Sequence, residues 1–209
     1  DHADSLGNKG ELGDGDIQWM TAGSGIIHQE MPKGNKKGEM HGFQLWANLP
    51  SDKKMTAPRY QDIKSEEINE IIDNDGSSIK IIAGNYRGYV GPVDGISTEP
   101  HYLDITIPPL ISKRIPFDTR RQGFAYIFEG DANFNNSSKP TGIQIEKEFN
   151  GQEIKLRDMT GNRTLLTFDN GDEIQVKSGE NGVRFLLISG LPIKEPVAWH
   201  GPIVMNTQE

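Results

Sequence analysis

The stretch Gly15-Asp16-Ile17-Gln18-Trp19-Met20-Thr21-Ala22-Gly23-Ser24-Gly25-Ile26-Ile27-His28-Gln29-Glu30-Met31-Pro32 decides how this chain is read. A Gly-Asp turn leads into an extended run, Asp16 to Ala22. A Gly-Ser-Gly corner follows, and Ile26 to Met31 forms a second extended run. Glycine at 23 and 25 permits the positive backbone angles that a tight corner demands. In a strand from Ile26 to Met31, successive side chains alternate, so His28 and Glu30 share a face. Read alone, His28 is a core histidine bonded to a backbone carbonyl. Glu30 beside it changes the balance, because a carboxylate on an inner face needs a cation or strong donors next to it. An imidazole and a carboxylate in that arrangement are half of a transition-metal site.

The chain around this stretch is that of a strand-and-turn protein. Its 209 residues can build one large or two small cores. Hydrophobic content is 34%, with 24 Gly and 12 Pro, and few runs show a helical period. No apolar run approaches the roughly 20 residues that span a bilayer, so no membrane association is expected. The absence of cysteine excludes disulfides, zinc fingers and thiol catalysis, and fits a cytoplasmic location, or a nuclear one in a eukaryote. A net charge of -8 argues against direct binding of nucleic acid. The cluster Lys33, Lys36 and Lys37 reads as a solvated loop.

In order, strands are predicted at Asp16 to Ala22, Ile26 to Met31 and Gly42 to Pro50, with Ala57 to Gln61 extended. In the third, Phe43, Leu45, Ala47 and Leu49 alternate with Gln44, Trp46 and Asn48. Its mixed face either lines a cavity beside His28 and Glu30 or meets solvent. Ser65-Glu66-Glu67 suits a short helix start. Further strands are predicted at Ser78 to Ala83, Tyr102 to Ile107, Gly123 to Phe128, Thr141 to Ile145, Leu165 to Phe168, Glu173 to Val176 and Val183 to Ser189. Turns are predicted at Pro108-Pro109, Asn170-Gly171-Asp172 and Glu180-Asn181-Gly182. The expected class is all-β, a sandwich or small barrel. The expected organisation is an N-terminal barrel at 1–62, a linker at 63–75, a second barrel at 76–190, and a segment at 191–209 returning to the first.

A faint repeat supports two related halves. Gly171-Asp172-Glu173-Ile174-Gln175-Val176 echoes Gly15-Asp16-Ile17-Gln18-Trp19-Met20, and Glu129-Gly130-Asp131-Ala132-Asn133 matches the start at Asp1-His2-Ala3-Asp4. The second half carries strands from Ser78 to Gly130 before that point and the first half carries none. The expectation is that the first barrel lacks its opening strands here. The positions matching His28 and Glu30 fall near Arg184, Phe185 and Leu186, so the second barrel is expected to have no metal site. Among the other histidines, His2 is a weaker ligand candidate, His41 a candidate to bond the ligands from behind, and His101 and His200 structural.

Five motifs carry a family resemblance. They are Gly15 to Gly23, Gly25 to Pro32, Gly42 to Pro50, Pro58-Arg59-Tyr60-Gln61, and His200-Gly201-Pro202-Ile203-Val204-Met205-Asn206-Thr207. Together they resemble the pirins. That resemblance implies a bicupin: two antiparallel β-barrel (jelly-roll) domains, with one mononuclear metal in the first. Pirins hold the metal with three His and one Glu. His28 and Glu30 match the last two of these, and the other two histidines are expected on a strand upstream of Asp1. The resemblance implies iron, with manganese, nickel, copper or zinc as alternatives. It further implies one of two functions. One is a quercetin 2,3-dioxygenase acting on a flavonol and O2, with Glu30 as ligand and candidate base and with Trp19, Gln44 and Trp46 flanking the substrate. The other is a metal- or redox-responsive transcription coregulator or protein-binding scaffold.

Overall fold

A computed structural model describes residues 2–5, 7, 9–135 and 160–208. Its regular structure is strand, with single 3-10 turns at Ser51–Lys53 and Ser65–Glu67. The second of these sits where the Ser-Glu-Glu signal places a helix start. Two compact units share the chain. One comprises Asp1–Ile68, Pro92–Glu99 and Pro192–Glu209, and the other Asn69–Gly91 and Pro100–Leu191.

The first unit contains β1 (His2–Asp4), β2 (Lys9–Gly10), β3 (Ile17–Thr21), β4 (His28–Glu30) and β5 (Arg59–Ile63). β1 lies between β2 and β4, and β3 pairs antiparallel with β5 from Ile17 opposite Ile63 to Thr21 opposite Arg59. The Gly-Asp turn before β3 is fixed by its own side chain. The Asp16 carboxylate accepts from the Lys64 ammonium at 2.7 Å and from the backbone N–H groups of Gly13 and Ser65 at 3.0 and 2.9 Å. Chiefly through Lys64, these donors lower its pKa to about 2. The predicted strand at Gly42 to Pro50 is not found: that segment enters no ladder. Alternation permits a strand, but its backbone groups still need a partner's edge to bond.

The second unit carries β6 (Asn69–Ile72), β7 (Ser78–Ala83), β8 (Asn85–Tyr86), β9 (Tyr89–Val90) and β10 (His101–Ile107). It continues with β11 (Ser112–Pro116), β12 (Gln122–Asn135), β13 (Thr160–Gly161), β14 (Thr164–Thr167) and β15 (Glu173–Gly190). β16 (Ala198–His200) and β17 (Ile203–Met205) then form a hairpin in the first unit. The large sheet runs β13-β12-β15-β10-β7-β6, with β11 on β15 and β14 on β12. Its core comes from alternate residues: Ile79 and Ile81 of β7, Leu103, Ile105 and Ile107 of β10, Ile127 of β12, and Phe185 and Leu187 of β15. The predicted strand at Thr141 to Ile145 lies outside the described residues.

Two sequence expectations change here. The turn predicted at Glu180-Asn181-Gly182 is a bulge inside one long strand, β15. Val183 pairs with Gly130 and Ser178 with Ala132, so the residues from Gly179 to Gly182 stand opposite Asp131 alone. Glycine makes the bulge feasible. Gly130 has φ +70° and a Cβ there would sit 2.1 Å from the Gly182 carbonyl oxygen. β11, in turn, was not expected as a strand, because Lys113 and Arg114 break its apolar pattern. Lys113 is nevertheless buried, 6% exposed, as are Ile115 and its neighbours in the core.

Lys113 is accommodated by two carboxylates on the β6–β7 turn. Its ammonium donates to Asp73 at 2.7 Å and to Asp75 at 2.9 Å, and Arg87 donates to Asp73 at 2.8 and 3.1 Å. Burial alone raises the Asp75 pKa, but the hydrogen bond from Lys113 and the backbone N–H of Ser77 outweigh it and bring it to about 2. A depressed carboxylate pKa adds stability that is complete above the unfolded-state value and is lost as pH falls through the folded value. Acid unfolding followed by circular dichroism should therefore lose part of its steepness between about pH 4 and pH 2 in Asp75→Asn. An unchanged acid profile would contradict the pairing.

Candidate metal centre

The corner before β4 is built on close backbone approach. Ser24 N–H donates to the Thr56 carbonyl at 2.8 Å and Gly25 N–H to Ala22 at 2.9 Å. Gly23 has φ +52°, and a Cβ there would lie 2.0 Å from the Thr56 oxygen, so no other residue fits without moving the chain. After the corner, the N–H of Ser5 donates to the Ile27 carbonyl at 2.8 Å and the N–H of Ile27 to the Ser5 hydroxyl at 3.3 Å. These bonds hold β4 against β1 in a register that sets Asp4 opposite His28 and His2 opposite Glu30.

Period-two alternation puts His28 and Glu30 side by side, with Nε2 and Oε1 3.9 Å apart. The expectation of a buried carboxylate is corrected: the Glu30 side chain is 58% exposed and that of His28 35%, and β4 is exposed along its length. Alternation defines two faces but not which of them is covered. Two donors each bonded at about 2.0–2.2 Å to one ion can lie up to roughly 4.3 Å apart, so the 3.9 Å separation fits a shared metal. Nitrogen and carboxylate oxygen also suit iron, manganese, nickel, copper and zinc. The pair could supply two coordination positions, and no group of three or more His, Cys, Asp or Glu placed to hold a metal occurs among the described residues.

The residues predicted around the pair are placed as follows. Trp19 is half-buried in β3, opposite Gln61 of β5. Gln44 is exposed in the unpaired 42–50 segment. Trp46, 57% exposed, lies with its ring centroid 6.2 Å from that of Trp199. His41 packs edge-on against Phe43, centroids 5.1 Å apart. A polar network that the sequence reading missed stands beside β5. Arg59 pairs with Asp94 at 2.7 Å, and Gln61 donates to the Asp94 carbonyl at 3.0 Å while accepting its N–H at 3.1 Å. The Pro58-Arg59-Tyr60-Gln61 motif was its only visible signal.

The pirin family model matches residues 1–47, and the model of the pirin C-terminal cupin domain matches residues 102–209. A pirin-like protein of Arabidopsis thaliana is 40% identical over 210 residues, covering 100% of this chain and 69% of that protein. Human pirin is 36% identical over 209 residues, covering 100% of this chain and 65% of its own length. A crystal structure of quercetin 2,3-dioxygenase from Acinetobacter baumannii is 28% identical with a TM-score of 0.79, covering 99% of this chain and 66% of that one. The chain thus spans about two thirds of the length of these relatives. No helix among the described residues is long and apolar enough to cross a membrane.

Proposed function

Because this chain belongs to the pirin family of cupin proteins, we propose that it forms part of a metal-dependent oxidoreductase of the quercetin 2,3-dioxygenase type. The observation that carries this reading is the His28–Glu30 pair, two metal-compatible donors 3.9 Å apart on one strand face. Likeness to a protein described as a quercetin 2,3-dioxygenase supports the choice of reaction. A bound divalent metal, iron foremost, would supply a Lewis-acid anchor for the flavonol oxygen and a partner for O2.

The chain's own part is then to hold and deprotonate. His28 and Glu30 would hold the ion, fixed in direction by β1 and by the Gly23 corner. Glu30 is open on one side and takes the proton of the flavonol hydroxyl as a general base. The exposed indole of Trp46 offers a flat apolar surface against which a planar ring system can stack.

The test is O2 consumption with quercetin by iron- or copper-loaded protein, followed with an oxygen electrode and by loss of the flavonol absorbance. The expected result is equimolar O2 and flavonol loss with release of carbon monoxide. Metal-loaded protein that consumes no O2 would overturn the enzymatic reading and favour the protein-binding one.

A further inference from the structure

The second unit contains a cavity that the metal reading does not use. Three neighbouring strands, β10, β15 and β12, point directly paired residues to the same face. Along the core these rows read Ile105–Phe185–Ile127, then Leu103–Leu187–Ala125, then His101–Ser189–Gly123. Side-chain volume falls toward the last row, and the space left there is a cavity of about 280 Å³. That is close to the small end of ligand-pocket volumes.

The walls are shaped rather than incidental. Gly84 has φ +83° and lies so close to His101 that an added Cβ would be 2.3 Å from the imidazole Cδ2. Gly123 lies under the Phe117 ring, where a Cβ would be 2.6 Å from its Cζ. Leu103, Leu187 and Phe117 form an apolar side. Ser189, 6% exposed, and Arg87 supply polar groups on the same cavity, as do Asn85, His101 and Asp118, whose carboxylate is paired with the Arg120 guanidinium. The Arg87 guanidinium sits 5.3 Å over the Tyr86 ring and bonds Asp73 through Nη1 only, which leaves Nε and Nη2 for a further acceptor. Tyr86 itself is 5% exposed and its buried hydroxyl has no hydrogen-bond partner among the described residues, an uncommon state for a cavity wall that is complete.

We propose that this cavity binds a single-ring aromatic carboxylate, its ring against Leu103, Leu187 and Phe117 and its carboxylate on Arg87 and Ser189. The apolar side formed by Leu103, Leu187 and Phe117 favours a ring over a bare inorganic anion, and the Arg87 guanidinium, 46% exposed, favours a carboxylate over a neutral group. The site lies wholly in the second unit and does not depend on the metal reading.

Titration of metal-free protein with benzoate, followed by calorimetry or by amide chemical shifts, tests the proposal. Saturable binding at millimolar benzoate or below is expected, with shifts centred on His101 and Ser189. Ser189→Leu fills the cavity and should abolish binding. Arg87→Gln should weaken it roughly ten-fold, the effect of losing one hydrogen bond to a charged group, and serves if Ser189→Leu does not fold. Benzyl alcohol, which keeps the ring but lacks the charge, should bind at least ten-fold more weakly. No saturation by wild type, wild-type affinity in both variants, or equal affinity for benzyl alcohol would each overturn it.

Discussion

Glu30→Gln should lower turnover of flavonol by roughly 10²–10⁴-fold in the metal-loaded protein, the range expected when a general base is removed. Glutamine keeps the length and one oxygen donor but cannot take a proton. His28→Ala supplies the complementary arm. Removing an imidazole ligand should weaken metal binding by at least about 10–100-fold, the loss known even for groups that only support a ligand. Elemental analysis after desalting reads this directly. Full metal with lost turnover in Glu30→Gln identifies a base, and loss of both shows that Glu30 is needed to hold the metal. Equal metal content in wild type and His28→Ala would remove the metal site altogether.

Phe185→Ala should cost about 3–5 kcal/mol of stability, the usual penalty for emptying a buried aromatic site. Phe185 is fully buried on the middle of β15, and its ring meets Phe134 edge to face at 5.3 Å. β15 is bonded on one side to β12 and on the other to β10 and β11, so surrounding strands cannot easily collapse into the void. Against a typical total of about 5–15 kcal/mol, that loss would bring many proteins near unfolding. Guanidinium unfolding compares it with Leu165→Ala on β14, where 55% exposure predicts a change within about 0.5 kcal/mol. A Phe185→Ala midpoint equal to that control would contradict the core assignment.

Much of the local order was legible in the sequence. Ser78–Ala83 is a strand as predicted, β10 begins one residue earlier than expected, and the extended run at Ala57 to Gln61 appears as β5. Ser78–Ala83 and β10 show apolar alternation, whereas β5 carries none and was marked only by its extended Pro58-Arg59-Tyr60-Gln61 run. The face-sharing of His28 and Glu30 was legible for the same reason, because it follows from a period of two and from nothing distant. Lys113 was not legible as a core position. Its burial depends on Asp73 and Asp75, which reach it from a turn far away in the chain. His101 read as a turn residue, because Glu99-Pro100 precedes it, yet it opens β10 and walls a cavity.

The sequence by itself determined the all-β class, the family and the pairing of one imidazole with one carboxylate, since all three rest on motif and alternation within short stretches. Only the tertiary structure decided which faces are covered. It left Glu30 open, joined two predicted strands into β15 through a glycine bulge, and left Gly42 to Pro50 without a ladder. The reason is physical: alternation is a property of neighbouring residues, whereas burial and hydrogen-bond pairing depend on strands that meet only after the chain has folded.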